Sequence, residues 1–186
     1  MWKQISDWLH QVSTGWVVLS ALAIFLLFSA LVLPGQAARA ETDTGNAGSP
    51  DTSFFYSADD LYRMAEVYGQ QGREAYVRTR FTFDLIWPLV YTMFLSTSIS
   101  WVFSKAFTPD SRWQRANLAP VLGAMLDYLE NLATSLVMLR FPNQTVVVDV
   151  LAPAFSLVKW VFVMGSFVLL LVGVAVSVWH WNRKRS

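Results

Sequence analysis

The chain has no cysteine, so it can form no disulfide framework, thiol nucleophile, iron–sulfur cluster or cysteine-held zinc site. Histidine is nearly as scarce, with His10 and His180 near opposite ends. Each is flanked by tryptophan, which points to placement at a membrane interface rather than to metal or haem ligation. No metal and no cofactor is expected. Charge is scarce as well: 15% of residues are Asp, Glu, Lys or Arg and the formal net charge is +1. Such a chain has no basic field, and no basic stripe interleaved with aromatics, for nucleic acid to read. Glycine-rich phosphate loops, nucleophile motifs and repeats of about 20 to 50 residues are absent from the sequence too.

What remains is apolar. Hydrophobic residues make up 54% of the chain, gathered in runs near the ~20 residues that a bilayer requires. The pattern predicts an all-α polytopic membrane protein, one domain over residues 1–186 with four transmembrane helices. The first span, GWVVLSALAIFLLFSALVLPG, covers about 15–33 and stops at the breaker pair Pro34-Gly35. FTFDLIWPLVYTMFLSTSISWVF, 81–103, is the second, and Pro88 inside it is expected to kink the helix. The third covers 117–139 and the fourth 158–180, with Trp160 at one end and Trp179 and Trp181 at the other as interfacial belts. The first apolar run exceeds the about 7 to 15 residues of a signal-peptide core. Despite AARA before Glu41, it therefore reads as an uncleaved signal anchor. Ahead of it, Trp2, Ile5, Trp8 and Leu9 share a helical face, as an interfacial lead-in would.

Basic residues are dense in the short 105–115 connection (Lys105, Arg112, Arg115) and at the C-terminal end (Arg183, Lys184, Arg185), whereas the long loop at 35–80 mixes its own with acids. That asymmetry leads to the expectation that both termini are cytoplasmic. The loop itself divides. Residues 36–53 are small and polar with no aromatic, a disordered-linker composition. Ser57 and Asp60 then form a capping-box pattern, and Leu61, Tyr62, Met64, Ala65 and Tyr68 follow at helical spacing. A short amphipathic helix over 58–68 outside the membrane is expected, stopped by Gly69. From Gly72 a second helix should run without interruption into the second span, with Arg73, Arg78 and Arg80 ringing its outer end, where they suit lipid phosphates. TVVVDV, 145–150, reads as a short extended piece.

The unusual stretch is LDYLEN, 126–131, inside the third span. On a helical wheel Pro120, Gly123, Asp127, Glu130, Asn131 and Thr134 share one face. A charge in hydrocarbon costs roughly 2.5 to 3.5 kcal/mol on insertion scales, so that face must look into protein or water. Asp84, four residues after Arg80, suits a local ion pair. Lys159 reaches the depth of Glu130 only if the fourth helix begins near Leu151. Three readings of Asp84, Asp127, Glu130, Asn131 and Lys159 stay open. They are interhelical glue, a binding or transport site for a cation, proton or small amphiphile, or a catalytic site in which Asp127 and Glu130 either divide into acid and base or, with Asp84 as a third oxygen ligand, hold Mg²⁺ or Mn²⁺ against a lipid phosphate.

RFTFDLIWPLVY together with LDYLEN resembles a pattern of small four-helix bacterial membrane proteins, a likeness over about a quarter of the chain that implies a bacterial inner membrane as the location and no activity. The single large outer loop is also similar in layout to claudin-type tetraspan proteins, but the paired loop cysteines of that family are missing. The expectation is a membrane protein acting by binding a partner membrane protein, a second copy of itself, or an amphiphile or cation at the buried polar face. A membrane-embedded lipid-modifying enzyme using the carboxylates of the second and third spans is the alternative.

Overall fold

Helix accounts for 86% of the described residues, and none of them forms a strand. A computed structural model describes residues 1–183 and, for Asn46, the backbone alone, so the basic residues Lys184 and Arg185 lie outside the described residues. The helices are α1 (Trp2–Val12), α2 (Gly15–Leu31), α3 (Leu33–Thr44), α4 (Ala58–Arg80), α5 (Phe83–Ala106), α6 (Ala119–Arg140) and α7 (Val148–Arg183). Tight 3₁₀ turns fall at Gly45–Ala47, Pro50–Thr52 and Arg112–Leu118.

Three helical stretches are long and apolar enough to cross a membrane, not the four expected: Gly15–Thr44, Ala58–Ala106 and Val148–Arg183. The expected third span is helical as α6, but it is not among them. Asp127, Glu130, Asn131 and Thr134 lie within its 22 residues and dilute its hydropathy. In the most apolar part of the first stretch 6% is buried within the chain, and in the last 17%, against 61% for the one containing α5. That part is thus mostly covered by protein, while Leu85, Ile86 and Leu89 near the start of α5 stay exposed. α2 and α7 present apolar flanks that their own chain does not cover.

Local structure departs from expectation where a helix-breaking residue is tolerated. Pro34 does not end the first helical stretch but sits in the first turn of α3, where its missing N–H has no helical partner to lose. Residues 33–44 are therefore helical, and the rest of the supposed linker coils into 3₁₀ turns. Gly69 does break the helix, at φ 61° and ψ −176°, yet helix resumes at once and continues to Arg80. Arg73 bridges the break by donating to the Ala65 carbonyl at 2.8 Å, which satisfies an acceptor the interruption leaves free. A turn at Phe81 and Thr82 then separates α4 from α5, so no uninterrupted helix runs from Gly72 into the second span. TVVVDV is not extended: Val147 takes φ 80° and Val148 to Val150 open α7. α7 thus starts ten residues before the expected 158, and Trp160 lies in its interior rather than at its end.

The chain gathers into two compact units. In the one formed by Met1–Leu26, Val90–Gly123 and the chain from Val161 on, α1 is held by polar contacts. Ser6 Oγ donates to Asn117 Oδ1 at 2.8 Å, and Asn117 Nδ2 donates to the Ser6 carbonyl at 3.1 Å and to Ser100 Oγ at 2.9 Å. Both ring nitrogens of His10 lie within 3.1 Å of carbonyl oxygens, those of Ser100 and Gln114. Ser6 and Leu9 are buried while Trp2 and Trp8 stay exposed, so the packed face of α1 is only partly the expected apolar one. Phe25 of α2 stacks on Phe94 of α5 with ring centres 4.7 Å apart. α7 approaches α5 closely at Gly173, where a Cβ would fall 2.5 Å from the Phe103 ring.

The other unit comprises Leu27–Leu89 and Ala124–Trp160. Its core joins Leu61, Met64, Ala65 and Tyr68, the apolar stripe read from the sequence, to Val137 and Met138 of α6 and Ala152 of α7. The capping box is formed as expected: Ser57 Oγ accepts from the Asp60 N–H at 3.1 Å, and the Asp60 carboxylate accepts from the Ser57 N–H at 2.9 Å. α3 lies directly against α4, since a Cβ on Gly72 would meet the Asp43 carbonyl at 2.5 Å.

Candidate functional site

Ten residues separate Glu130 from the end of α6 and eleven separate Lys159 from the start of α7. At ~1.5 Å per residue both side chains stand ~15 to 17 Å along their helices from the shared connection, so the two heights match. The early start of α7 makes that possible. Lys159 Nζ lies 2.5 Å from Glu130 Oε2 and 3.6 Å from Asp127 Oδ1. Glu130 is fully buried and Lys159 is 4% exposed. The second oxygen of Glu130 accepts from the Tyr56 hydroxyl at 3.1 Å. Burial first, and the adjacent Glu130 carboxylate second, raise the Tyr56 hydroxyl above its ordinary pKa of 10.0.

A second ion pair adjoins the first. Arg80, at the end of α4, is buried, pairs with Asp51 from the Pro50–Thr52 turn, and places Nε 2.9 Å from the Asp84 carboxylate. Its guanidinium stacks on the Tyr76 ring, 4.4 Å from the centre. The expected i, i+4 pair of Arg80 and Asp84 is thus formed, in the interior. Asp84 also occupies the first turn of α5, where the helix dipole favours a negative charge. It interacts electrostatically with Asp127 and Lys159, and Glu130 with Asp51 and Asp127, so the six charged groups form one field. Asn131 is buried on the same helix, and neither side-chain atom of its amide has a hydrogen-bond partner.

Of the residues singled out in the sequence, Lys159 thus contacts Asp127 and Glu130, and Asp84 pairs with Arg80 within electrostatic reach of Asp127 and Lys159. The three arginines do not come together. Arg80 turns inward, Arg73 lies 4.7 Å over the Phe141 ring, and Arg78 alone is exposed, so no outer ring of the three exists. Two contributors carried no sequence signal. Asp51 belongs to the stretch with linker composition, and Tyr56 lies between that stretch and the capping box. Among the described residues no three His, Asp or Glu side chains are arranged to hold a metal ion. Lys159 occupies the point where the carboxylates of α6 converge.

Comparison of the chain with models of protein families, with curated proteins and with solved structures finds no match.

Proposed function

We propose that this is a small integral membrane protein of four spans, both termini cytoplasmic, which acts by binding a small cation, the proton included, at the buried cluster of Asp51, Asp84, Asp127 and Glu130. One observation carries the reading: four carboxylates share the site with two cations, Arg80 and Lys159. With all six ionised the cluster carries four negative charges and two positive ones; Lys159, Glu130 and Arg80 are almost closed to solvent, while the side chains of Asp51, Asp84 and Asp127 keep 13 to 22% exposure. A net negative charge held in a largely enclosed site favours the uptake of protons or another cation. The unpartnered amide of Asn131, next to Glu130, adds a neutral oxygen of the kind that completes a cation's shell. In this reading α6 crosses the membrane as the fourth span with its polar face inward, and the uncovered apolar flanks of α2 and α7 meet lipid.

The test uses the purified full chain in detergent. Its unfolding temperature is followed against pH and against sodium or potassium at constant ionic strength, choline replacing the cation. A bound cation stabilises the folded state in proportion to occupancy, so the temperature should rise with protons or with one of the metal cations, and the rise should vanish in an Asp84→Asn, Asp127→Asn double variant. Indifference to both cation identity and pH between about 5 and 9 would sink the proposal.

A further inference from the structure

A groove between α5 and α7 begins beside Gly173 and runs to the ends of both helices. Gly173 brings α7 onto Phe103, and Ser177 Oγ donates to the Val102 carbonyl at 3.4 Å. Beyond that contact a groove of about 420 Å³ opens beside Trp101, Lys105, Val174, Val178, His180 and Trp181. Its volume falls within the ~300 to 1,000 Å³ of small-molecule sites. Lys105 is one residue from the end of α5, and His180 and Trp181 fall within the last turn of α7, so the groove sits at interfacial depth. None of the side chains lining it is acidic. Among the described residues no carboxylate pairs with Lys105, whose ammonium rests 3.2 Å from the centre of the Trp101 ring.

We infer that this groove is a binding site for an anionic phospholipid, with the phosphate at Lys105 and His180 and an acyl chain along Val174 and Val178. The charge fixes the class of headgroup. A choline headgroup would seek the face of a tryptophan, but Lys105 already covers that of Trp101. An unpaired ammonium beside an imidazole attracts a phosphate instead. Trp101 and Trp181 have the amphipathic form suited to the boundary between headgroup and chain, and the valines supply the apolar lining an acyl chain needs. None of these residues belongs to the acidic cluster, so the site stands whether or not a cation binds there.

The experiment is native mass spectrometry of the full chain in detergent, titrated in parallel with phosphatidylglycerol, phosphatidylcholine of the same acyl chains, and inorganic phosphate. Saturable binding of phosphatidylglycerol at one equivalent is expected, weakened about fivefold in Lys105→Gln and about thirtyfold in Lys105→Glu, and retained in Lys105→Arg. The variants are checked for native unfolding temperature, and Lys105 is exposed, so misfolding does not mimic the loss. Equal binding of the two lipids by the wild type overturns the inference. So does phosphatidylglycerol binding that Lys105→Glu leaves unchanged. Displacement of the lipid by millimolar inorganic phosphate would assign the groove to a free anion and overturn the lipid as its ligand.

Discussion

Lys159 of α7 holds its ammonium 2.5 Å from the carboxylate of Glu130 on α6, at a depth where both side chains are closed to solvent. The pair crosses between two helices joined by a short connection, so its register depends on where α7 begins.

Breaking that pair from one side should cost more than removing it. Lys159→Met leaves Glu130 and Asp127 without their nearest cation, and Glu130→Gln leaves Lys159 with Asp127 alone, at 3.6 Å. Each is expected to destabilise by about 3 to 5 kcal/mol, the usual consequence of stranding a buried charge. The double variant should be less destabilised than the sum of the two, with a coupling above about 1 kcal/mol in equilibrium unfolding. Additive effects would show that the two charges are not partners.

Tyr56→Phe removes the hydroxyl that donates to Glu130 Oε1. Loss of about 1 to 3 kcal/mol is expected, because the acceptor stays buried. The pH dependence follows from the raised Tyr56 hydroxyl. Below pH 10 the phenol is neutral in both folded and unfolded chains and contributes no slope. As pH rises through its ordinary value of 10.0 only the unfolded state ionises, so stability falls with further alkalinity. Wild type and Tyr56→Phe should accordingly show the same tyrosinate absorbance near pH 10 as long as both remain folded. A missing increment in the variant there would show that Tyr56 ionises normally.

Asp51 ties the 3₁₀ turn at Pro50–Thr52 to Arg80. Asp51→Asn should raise amide exchange across residues 45–52 while leaving 58–68 protected by the capping box and the packed stripe of α4. Arg80→Met should do more harm than Asp51→Asn, since it removes the cation from two carboxylates rather than one charge from a pair. Equal and rapid exchange over both segments in the unaltered chain would contradict the packing of this region.

The absence of cysteine makes topology directly measurable. Single cysteines at Thr108, in the connection dense in basic residues, and at exposed Asn143, between α6 and α7, should react with an impermeant thiol reagent from opposite sides of the membrane. Reaction of both from one side would remove α6 as a span.

Several features were legible because their causes are local. The capping box of Ser57 and Asp60, the break at Gly69 and the pair of Arg80 and Asp84 involve residues at most four apart, within reach of a helix's own geometry. The polar face of LDYLEN was readable for the same reason, since a period of 3.6 residues places Asp127, Glu130 and Asn131 together whatever surrounds them. Breakers were less reliable. Pro34 is as compatible with the first turn of a new helix as with the end of an old one, and composition alone does not choose.

By itself, then, the sequence determined a helical chain with apolar runs of membrane-spanning length, no cysteine chemistry, and one helix with carboxylates on its inner face. Only the tertiary structure decided their partners. The start of α7 at Val148 brings Lys159 level with Glu130, and the folding of an unpatterned stretch delivers Asp51 to Arg80 and Tyr56 to Glu130. Pairing with Asp51 and Asp84 holds Arg80 inward. Periodicity records which side of a helix must be hidden, but not what hides it: that depends on the relative height and rotation of helices distant in the chain, which the summed packing of their whole faces sets.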